Sequence, residues 1–405
     1  MLVGRELTMS RLLLVVFSIV MASCSPSEPE PIRIGVIHAL TGPMAVSEAP
    51  LVDAARLAVE EINAAGGLLG RPVQMLVADS ASDPWKAADQ AWRMIETERI
   101  SALFACWTSS CRRMVKPVVE SHGHLMFYPV QYEGLEQSRH IVYTGSAPNQ
   151  QIVPGAHWAM QNLGRRVYLL GSDYVFPRIA NRIIADLAKA SNATVLAERY
   201  RPLGDSDFSR EAAEIARLQP DVVFNTVNGE SNIHLFRALR DAGLIKQPIV
   251  SFSVAEGELA AINGAGLAEH YAVWNYFQSL DNAENRRFIE AFRRRFGRQR
   301  VTSDPIESSY ISVKLWAQAV VDAGSERIDL VNRAVQRQSI AAPSGILSVD
   351  ADSRHLWKMV RIGKARADGD FDIVQDSQWP LHPAPFPLYH SRLYWLDVVR
   401  DVLEE

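Results

Sequence analysis

The side chains best suited to binding a small molecule stand directly after apolar runs of strand length. Thr108 and Ser109 follow one such run, where a helix is predicted to begin. At a helix start, side-chain hydroxyls and unpaired backbone N–H groups can donate hydrogen bonds to a neutral carbonyl oxygen or to an anion. A helix cap alone uses the same residue types. The position therefore predicts either a cap or a ligand-binding site formed by these hydroxyl and N–H groups.

Aromatic side chains occupy the same strand ends. A flat ring with a polar tip can pack against a small planar ligand and still bond to its edges. Each ring taken alone is more typical of a core, but their joint placement after consecutive strands favours a ligand wall. The residues concerned are Trp107, Tyr128, Tyr132, Tyr174 and Phe176.

Three carboxylates are predicted to lie at the same edge. Asp173, Glu230 and Glu133 are hydrogen-bond acceptors and suit a ligand rich in N–H donors. They perform no acid–base chemistry unless their surroundings shift their pKa values. For Asp173, which stands shortly before Pro177, capping of the next helix is the alternative interpretation.

No set of catalytic residues stands out. The sequence contains no phosphate loop, no dinucleotide-binding GxGxxG, no GxSxG elbow and no HExxH zinc motif. Cys106 needs a neighbouring base to act as an amidase nucleophile, and no sequence pattern supplies one. His122 and His124 are more typical of structural or solvated positions than of metal ligands. We therefore predict a binding protein that is not an enzyme and uses no metal or cofactor.

Besides Cys24, the chain has two cysteines, Cys106 and Cys111. This number is too small for a disulfide framework or a zinc ligand set. The spacing of the two is compatible with a small closed loop in an oxidising compartment. Because a disulfide needs a narrow range of geometry, we expect two free thiols instead, one at a strand end and one on a helix.

The N-terminus carries the pattern of an export signal. The apolar run Leu12–Met21 follows Arg11 and is too short to span a bilayer. The residues before Cys24 resemble the bacterial lipoprotein processing site. Residues 1–24 are thus interpreted as a signal peptide with Cys24 lipidated, and residues 25–31 as a tether. The alternative is an ordinary cleaved signal or a buried helix with an incidental cysteine. We expect a periplasmic or extracytoplasmic lipoprotein, anchored to the membrane.

Size and charge narrow the range of partners. The 405 residues, less the signal, suffice for two medium domains. A net charge of -4 argues against a nucleic-acid partner, because phosphate binding needs clustered positive charge. The densest basic run, residues 293–295, lies in an amphipathic helical pattern and is interpreted as a solvated helix face.

Predicted strands and helices alternate along the chain. One series runs from Ile32 to Tyr128 and a second from Gln150 to Ser253. Such alternation is typical of parallel sheets with helices on both faces. The carboxyl ends of the strands then border a cleft, where the candidate residues above would meet. The predicted fold class is α/β, with two Rossmann-like lobes and parallel sheets around a hinged cleft.

The later elements are too few for a third domain, so we expect them to complete the two lobes. The chain would then cross between the lobes more than once. The first lobe is predicted over residues 32–144 plus 278–350, and the second over 145–277 plus 351–390. Residues 391–405 are predicted to form a C-terminal tail.

Several loop motifs are long enough to compare with known families: CWTSS from Cys106, FYPVQYEGLE from Phe127, TGSAPNQQ from Thr144, GSDYVFPR from Gly171, NGESN from Asn228, WNYFQS from Trp274 and SVDADSRHLWK from Ser348. They closely resemble the urea- and short-chain-amide-binding proteins that serve ABC importers of the branched-chain amino acid type. The resemblance implies the type I periplasmic-binding fold, a small neutral ligand and an ABC permease as partner. The ligand contacts it implies are Ser109, Tyr128 and Tyr174, with Trp107, Val130 and Phe176 beside them.

Two positions separate branches of that family. Where this chain has Val130 and Phe176, the resemblance leads us to expect a threonine and a tyrosine in the aliphatic-amide sensor branch. The missing hydroxyls favour urea over acetamide as the ligand. The alternative function is a urea or amide sensor of the same fold that regulates gene expression or a membrane kinase. The export signal argues against a cytoplasmic regulator.

Overall fold

We describe the protein from a computed structural model, which covers residues 30–262 and 269–404. The expected signal peptide and Cys24 lie outside these residues. The strands are β1 Ile32–His38, β2 Val73–Asp79, β3 Ala102–Ala105, β4 Met126–Tyr128, β5 Ile141–Tyr143, β6 Arg166–Ser172, β7 Thr194–Arg201, β8 Val222–Thr226, β9 Ile249–Ser251, β10 His270–Trp274, β11 Ser339–Ala342, β12 Gly345–Val349, β13 Leu356–Trp357, β14 Arg361–Ala365 and β15 Phe371–Asp376.

The α-helices connect these strands and extend the chain beyond them. They are α1 Ala45–Ala64, α2 Pro84–Glu96, α3 Ser109–Ser121, α4 Ile152–Asn162, α5 Val175–Ala190, α6 Ser209–Leu218, α7 Ser231–Asp241, α8 Glu256–Ile262, α9 Ala283–Phe296, α10 Asp304–Ala323, α11 Ile328–Ala334 and α12 Arg392–Glu404.

The first five strands form one parallel sheet in the order β2-β1-β3-β4-β5. β1 lies inside this sheet and is rich in isoleucine and valine, as a strand covered on both faces requires. Because all five strands run the same way, the loops after β1, β3 and β4 meet at one edge. We call this sheet, with α1, α2, α3 and α10, the first lobe.

The second sheet has seven strands in the order β15-β14-β10-β9-β8-β6-β7. The strands from β6 to β10 pair in parallel, whereas β14 and β15 add antiparallel strands at one side. We call this sheet, with α4 to α8 and α12, the second lobe. The remaining strands form a small antiparallel sheet, β11-β12-β13.

Late segments of the chain complete both lobes, as expected. Trp316 of α10 packs edge-on against Phe104 of the first sheet, with ring centroids 6.2 Å apart. Trp395 of α12 is fully buried in the core of the second lobe. The predicted C-terminal tail therefore contains a helix whose apolar face packs on the second lobe. The lobe boundaries given above remain a prediction.

No helix in residues 30–262 and 269–404 has the length and apolar character needed to cross a bilayer. The same residues hold no group of three or more histidine, cysteine or carboxylate side chains placed to bind a metal ion.

Candidate functional site

The start of α3 forms one wall of the cleft. Thr108 has extended backbone geometry, and its hydroxyl caps the helix by accepting a hydrogen bond from Cys111 N at 3.1 Å. Ser109 is then the first helical residue. The backbone N–H groups of Ser109 and Ser110 have no hydrogen-bond partner within the described parts of the chain. The structure thus has a helix cap at this position, formed by Thr108, and the ligand-binding role of these groups stays a prediction.

Cys106 and Cys111 form a disulfide, so the expectation of two free thiols is wrong. Cys106 follows β3 with a left-handed backbone (φ 72°), which turns the chain back toward the first turn of α3. This turn leaves the two Cα atoms 5.5 Å apart, within the range that a disulfide spans. The bond closes the loop that carries Trp107, Thr108 and Ser109.

Arg112, one helical turn after Ser109, is a fully buried cation at the base of this wall. It donates to Glu133 Oε1 at 2.8 Å and to Glu136 Oε1 at 3.1 Å. Burial acts to lower the pKa of Arg112, but the two carboxylates outweigh it and raise that pKa well above its ordinary value. Burial acts to raise the pKa of Glu136, and Arg112 with Lys116 brings it below the ordinary value. The positive charge is therefore compensated within the protein.

This charge cluster determines which hydrogen bonds Ser109 can offer. Its hydroxyl donates to Glu133 Oε2 and accepts from Arg112 Nη1 at 3.0 Å. The Tyr128 hydroxyl likewise donates to the backbone oxygen of Trp107. Each hydroxyl has its proton committed to a protein acceptor, so only oxygen lone pairs remain for a ligand.

Tyr174 is the aromatic side chain that approaches this cluster from the second lobe. It stands just before α5 with extended backbone, and its hydroxyl has no hydrogen-bond partner among the described residues. Burial raises the pKa of the Tyr174 phenol well above its ordinary value. Tyr128 and the carboxylates of Glu133 and Glu48 raise that pKa further. The helix that follows Tyr174, α5, contacts α3 of the first lobe.

Val130 and Phe176 are both buried, in different lobes. Val130 packs in the first-lobe core, and a Cβ atom on Gly145 would lie 2.0 Å from its carbonyl carbon. Only glycine permits this close approach. Phe176 packs in the second-lobe core, and its ring centroid is 6.4 Å from that of Tyr174.

The two second-lobe carboxylates predicted for the cleft have different surroundings. Asp173 forms an ion pair with Arg178 at 2.8 Å, and its side chain is 44% exposed. It therefore faces solvent rather than a buried ligand. Glu230 is half-buried at the start of α7, and its side chain makes no hydrogen bond within the described residues. Its backbone N–H donates to Pro43 O in the first lobe at 3.0 Å.

Direct hydrogen bonds join the lobes around these residues. The indole Nε1 of Trp107 donates to Asn228 Oδ1 at 3.1 Å. On the other side of the cleft, Ser47 Oγ donates to Glu258 Oε1 at 2.6 Å. The structure therefore shows the lobes closed on each other.

Sequence reasoning missed four polar residues that the structure brings to this junction. Arg112 and Asn228 organise the cluster and the lobe contact described above, while His38 and Glu48 form a buried hydrogen-bonded pair at 2.9 Å. β1 ends at His38, so the rule that sites follow strand ends would have drawn attention to this pair.

Comparisons with known proteins agree with this architecture. Residues 32–392 match the family described as periplasmic binding protein domain. A solute-binding protein of an ABC transporter from Rhodopseudomonas palustris HaA2, solved with p-hydroxybenzoic acid, superposes with a TM-score of 0.80 at 22% identity. That match covers 89% of this chain and 100% of the other. The predicted type I periplasmic-binding fold is confirmed.

Sequence relatives match over shorter stretches. The Leu/Ile/Val-binding protein homolog 3 of Brucella melitensis biotype 1 is 28% identical over 58% of this chain and 64% of its own length. A limonene hydroxylase of Geobacillus stearothermophilus is 34% identical over 118 residues, which are 29% of this chain and 22% of that protein. The chain thus matches less than two thirds of either relative.

Proposed function

Because the chain belongs to the periplasmic binding protein family, we propose that it captures urea or a short-chain amide between its lobes and delivers it to an ABC permease. Binding is a hinge equilibrium in which contacts from both lobes favour the closed state. The permease would recognise the closed form. No chemical reaction is involved.

The observation that carries this proposal is the direction of the hydrogen bonds at Ser109 and Tyr128. Both hydroxyls donate to protein acceptors, so toward a ligand each can act only as an acceptor. Two backbone N–H groups at the start of α3 remain as donors. A ligand with one carbonyl oxygen and N–H groups beside it, such as urea, complements this pattern.

The charges of the site also support a neutral ligand. A free carboxylate on the ligand would have the N–H groups at the start of α3 as donors, beside the carboxylate of Glu133 and without an uncompensated cation. Arg112 is the buried cation nearest to Ser109, and its charge is already balanced by Glu133 and Glu136. Leucine and p-hydroxybenzoate carry such a carboxylate, so we expect them to bind more weakly than urea.

The same proposal includes an attachment to the membrane through lipid on Cys24. Its support is the short apolar run followed by a cysteine. A lipid anchor would hold the lobes beside the permease at the membrane surface.

A thermal-shift screen tests the proposed ligand class. A ligand that binds only the native protein raises the melting temperature in proportion to its affinity and concentration. The set is urea, formamide, acetamide, thiourea, leucine and p-hydroxybenzoate. We expect urea to give the largest increase, with smaller shifts for the amides. A shift with leucine or p-hydroxybenzoate and none with urea would assign the protein to another ligand class.

A further inference from the structure

Glu48, in the first turn of α1, is a buried carboxylate that has one oxygen uncommitted. Its side chain is 5% exposed. Oε2 accepts from His38 Nδ1 at 2.9 Å and from Ala39 N at 3.1 Å. Within residues 30–262 and 269–404, Oε1 accepts no hydrogen bond. A carboxylate oxygen on a side chain with so little exposure gains most when a ligand donor reaches it.

His38 fixes the orientation of this carboxylate. It is the last residue of β1 and is fully buried. Since an ionised carboxylate only accepts, Nδ1 of the ring donates to Glu48. Nε2 has no partner among the described residues. With Oε2 held by His38 and Ala39, Glu48 keeps Oε1 available as an acceptor.

The first turn of α1 lies against the second lobe. Pro43 O, just before the helix, accepts from Glu230 N at 3.0 Å. Ser47, the immediate neighbour of Glu48, donates to Glu258 in α8 at 2.6 Å. Glu48 is therefore enclosed where the lobes meet, next to the Ser47–Glu258 hydrogen bond.

We propose that Glu48, oriented by His38, accepts a hydrogen bond from a ligand N–H group and determines the preference for urea over amides. This inference rests on the proposed function. Ser109 and Tyr128 would accept from one amino group of urea, and Glu48 from the other. Glu48 thereby takes the role that the sequence suggested for Asp173, whose side chain is exposed and paired with Arg178.

Acetamide has a methyl group in place of one amino group of urea. Bound in the closed cleft, it satisfies the acceptors on the α3 side and leaves Glu48 without a donor. An unsatisfied buried acceptor costs about 1–3 kcal/mol, which corresponds to roughly tenfold to a hundredfold in affinity. Glu48 therefore accounts for the preference that we expect between the two ligands.

The test is calorimetry of urea and acetamide binding to the full-length protein and to Glu48→Gln. The amide of glutamine presents an N–H₂ group where a bare oxygen stood, so urea affinity should fall at least about tenfold. Acetamide affinity should fall much less, and the ratio of the two affinities should approach one. The matched control is Glu96→Gln, which alters a surface carboxylate paired with His122 at 2.9 Å. It should leave both affinities within about twofold of the wild type.

The outcomes of this experiment distinguish the role of Glu48 from the proposed function. Urea binding unchanged by Glu48→Gln, or urea and acetamide weakened by the same factor, overturns the role of Glu48 and leaves the proposed function standing. Absence of binding of both ligands to the wild type removes the proposed function and this inference with it. If Glu48→Gln does not fold, Glu48→Asp provides the same comparison, because it keeps the charge beside His38 and withdraws the free oxygen by one methylene.

Discussion

The indole N–H of Trp107 donates a hydrogen bond across the cleft to the side-chain oxygen of Asn228, at 3.1 Å. Trp107 belongs to the disulfide-closed loop of the first lobe, and Asn228 follows β8 of the second. The same loop carries Ser109, so the contact couples lobe closure to the wall that we propose for the ligand. A bond that exists only between the lobes favours the closed state alone.

Replacing Trp107 by Phe should therefore weaken ligand binding while leaving the fold intact. Loss of one hydrogen bond costs about 0.5–1.5 kcal/mol, or roughly twofold to tenfold in affinity. Calorimetry with urea measures the change. Trp316→Phe is the matched control, because that indole is fully buried in the first lobe and its Nε1 has no partner among the described residues. Equal losses in the two variants would show that the effect is one of packing.

Tyr174→Ala should reduce affinity more than it reduces stability, because the phenol approaches the polar cluster from the second lobe. Loss of a ring contact and one polar contact amounts to about 1–3 kcal/mol, or roughly tenfold to a hundredfold in affinity. The control is Tyr394→Ala, which removes a second-lobe phenol bonded to Asp186 at 2.8 Å. A folded Tyr174→Ala protein with wild-type affinity would exclude Tyr174 from the site.

The buried carboxyl of Glu307 predicts a dependence of stability on pH. Burial raises its pKa to about 7, with Lys358 acting to lower the pKa and Asp304 to raise it. Between the ordinary glutamate pKa of 4.5 and about 7, the folded protein holds a proton that the unfolded chain has lost. The free energy of unfolding therefore falls as pH rises through this window, and the loss is complete above it.

Glu307→Gln removes this titration. The variant should gain stability relative to the wild type between about pH 5 and about pH 8, by on the order of 2–3 kcal/mol. Urea is unsuitable as denaturant here because it is the proposed ligand, so guanidinium chloride unfolding at both pH values gives the comparison. Parallel pH profiles for the two proteins would contradict the prediction.

Cys24→Ala should release the protein from the membrane fraction if Cys24 carries lipid. Fractionation of cells and detection of the protein measure this directly, with Ser25→Ala as a neighbouring change that keeps the cysteine. A folded Cys24→Ala protein that still sediments with membranes would rule out the anchor.

Local sequence patterns predict a strand well where a single uninterrupted apolar run corresponds to that strand. The isoleucine- and valine-rich run Ile32–His38 predicts a strand, and β1 has those bounds. Helical periodicity over Leu51–Ala64 predicts the first helix, but α1 begins earlier, at Ala45, and contains Pro50. Proline usually interrupts a helix, so a helix that runs through Pro50 is not expected from the sequence.

The site was less predictable because its contacts are distant in sequence or depend on local geometry. The Trp107–Asn228 bond joins residues 121 positions apart, and the Ser47–Glu258 bond joins residues 211 apart. No local pattern indicates such pairs. The Cys106–Cys111 bond depends on the left-handed backbone at Cys106, which composition does not reveal.

We propose that the closed cleft holds a neutral ligand with two amino groups. Calorimetry of urea and acetamide binding to the protein from Ser25 onward measures this preference. The apolar Val130 and Phe176 supply no hydroxyl, so urea must place its amino groups on other acceptors, and acetamide leaves one of these empty. Urea should bind roughly tenfold to a hundredfold more tightly than acetamide. Equal affinities, or tighter binding of acetamide, would show that the apolar pair faces a methyl group and that the protein is an amide receptor.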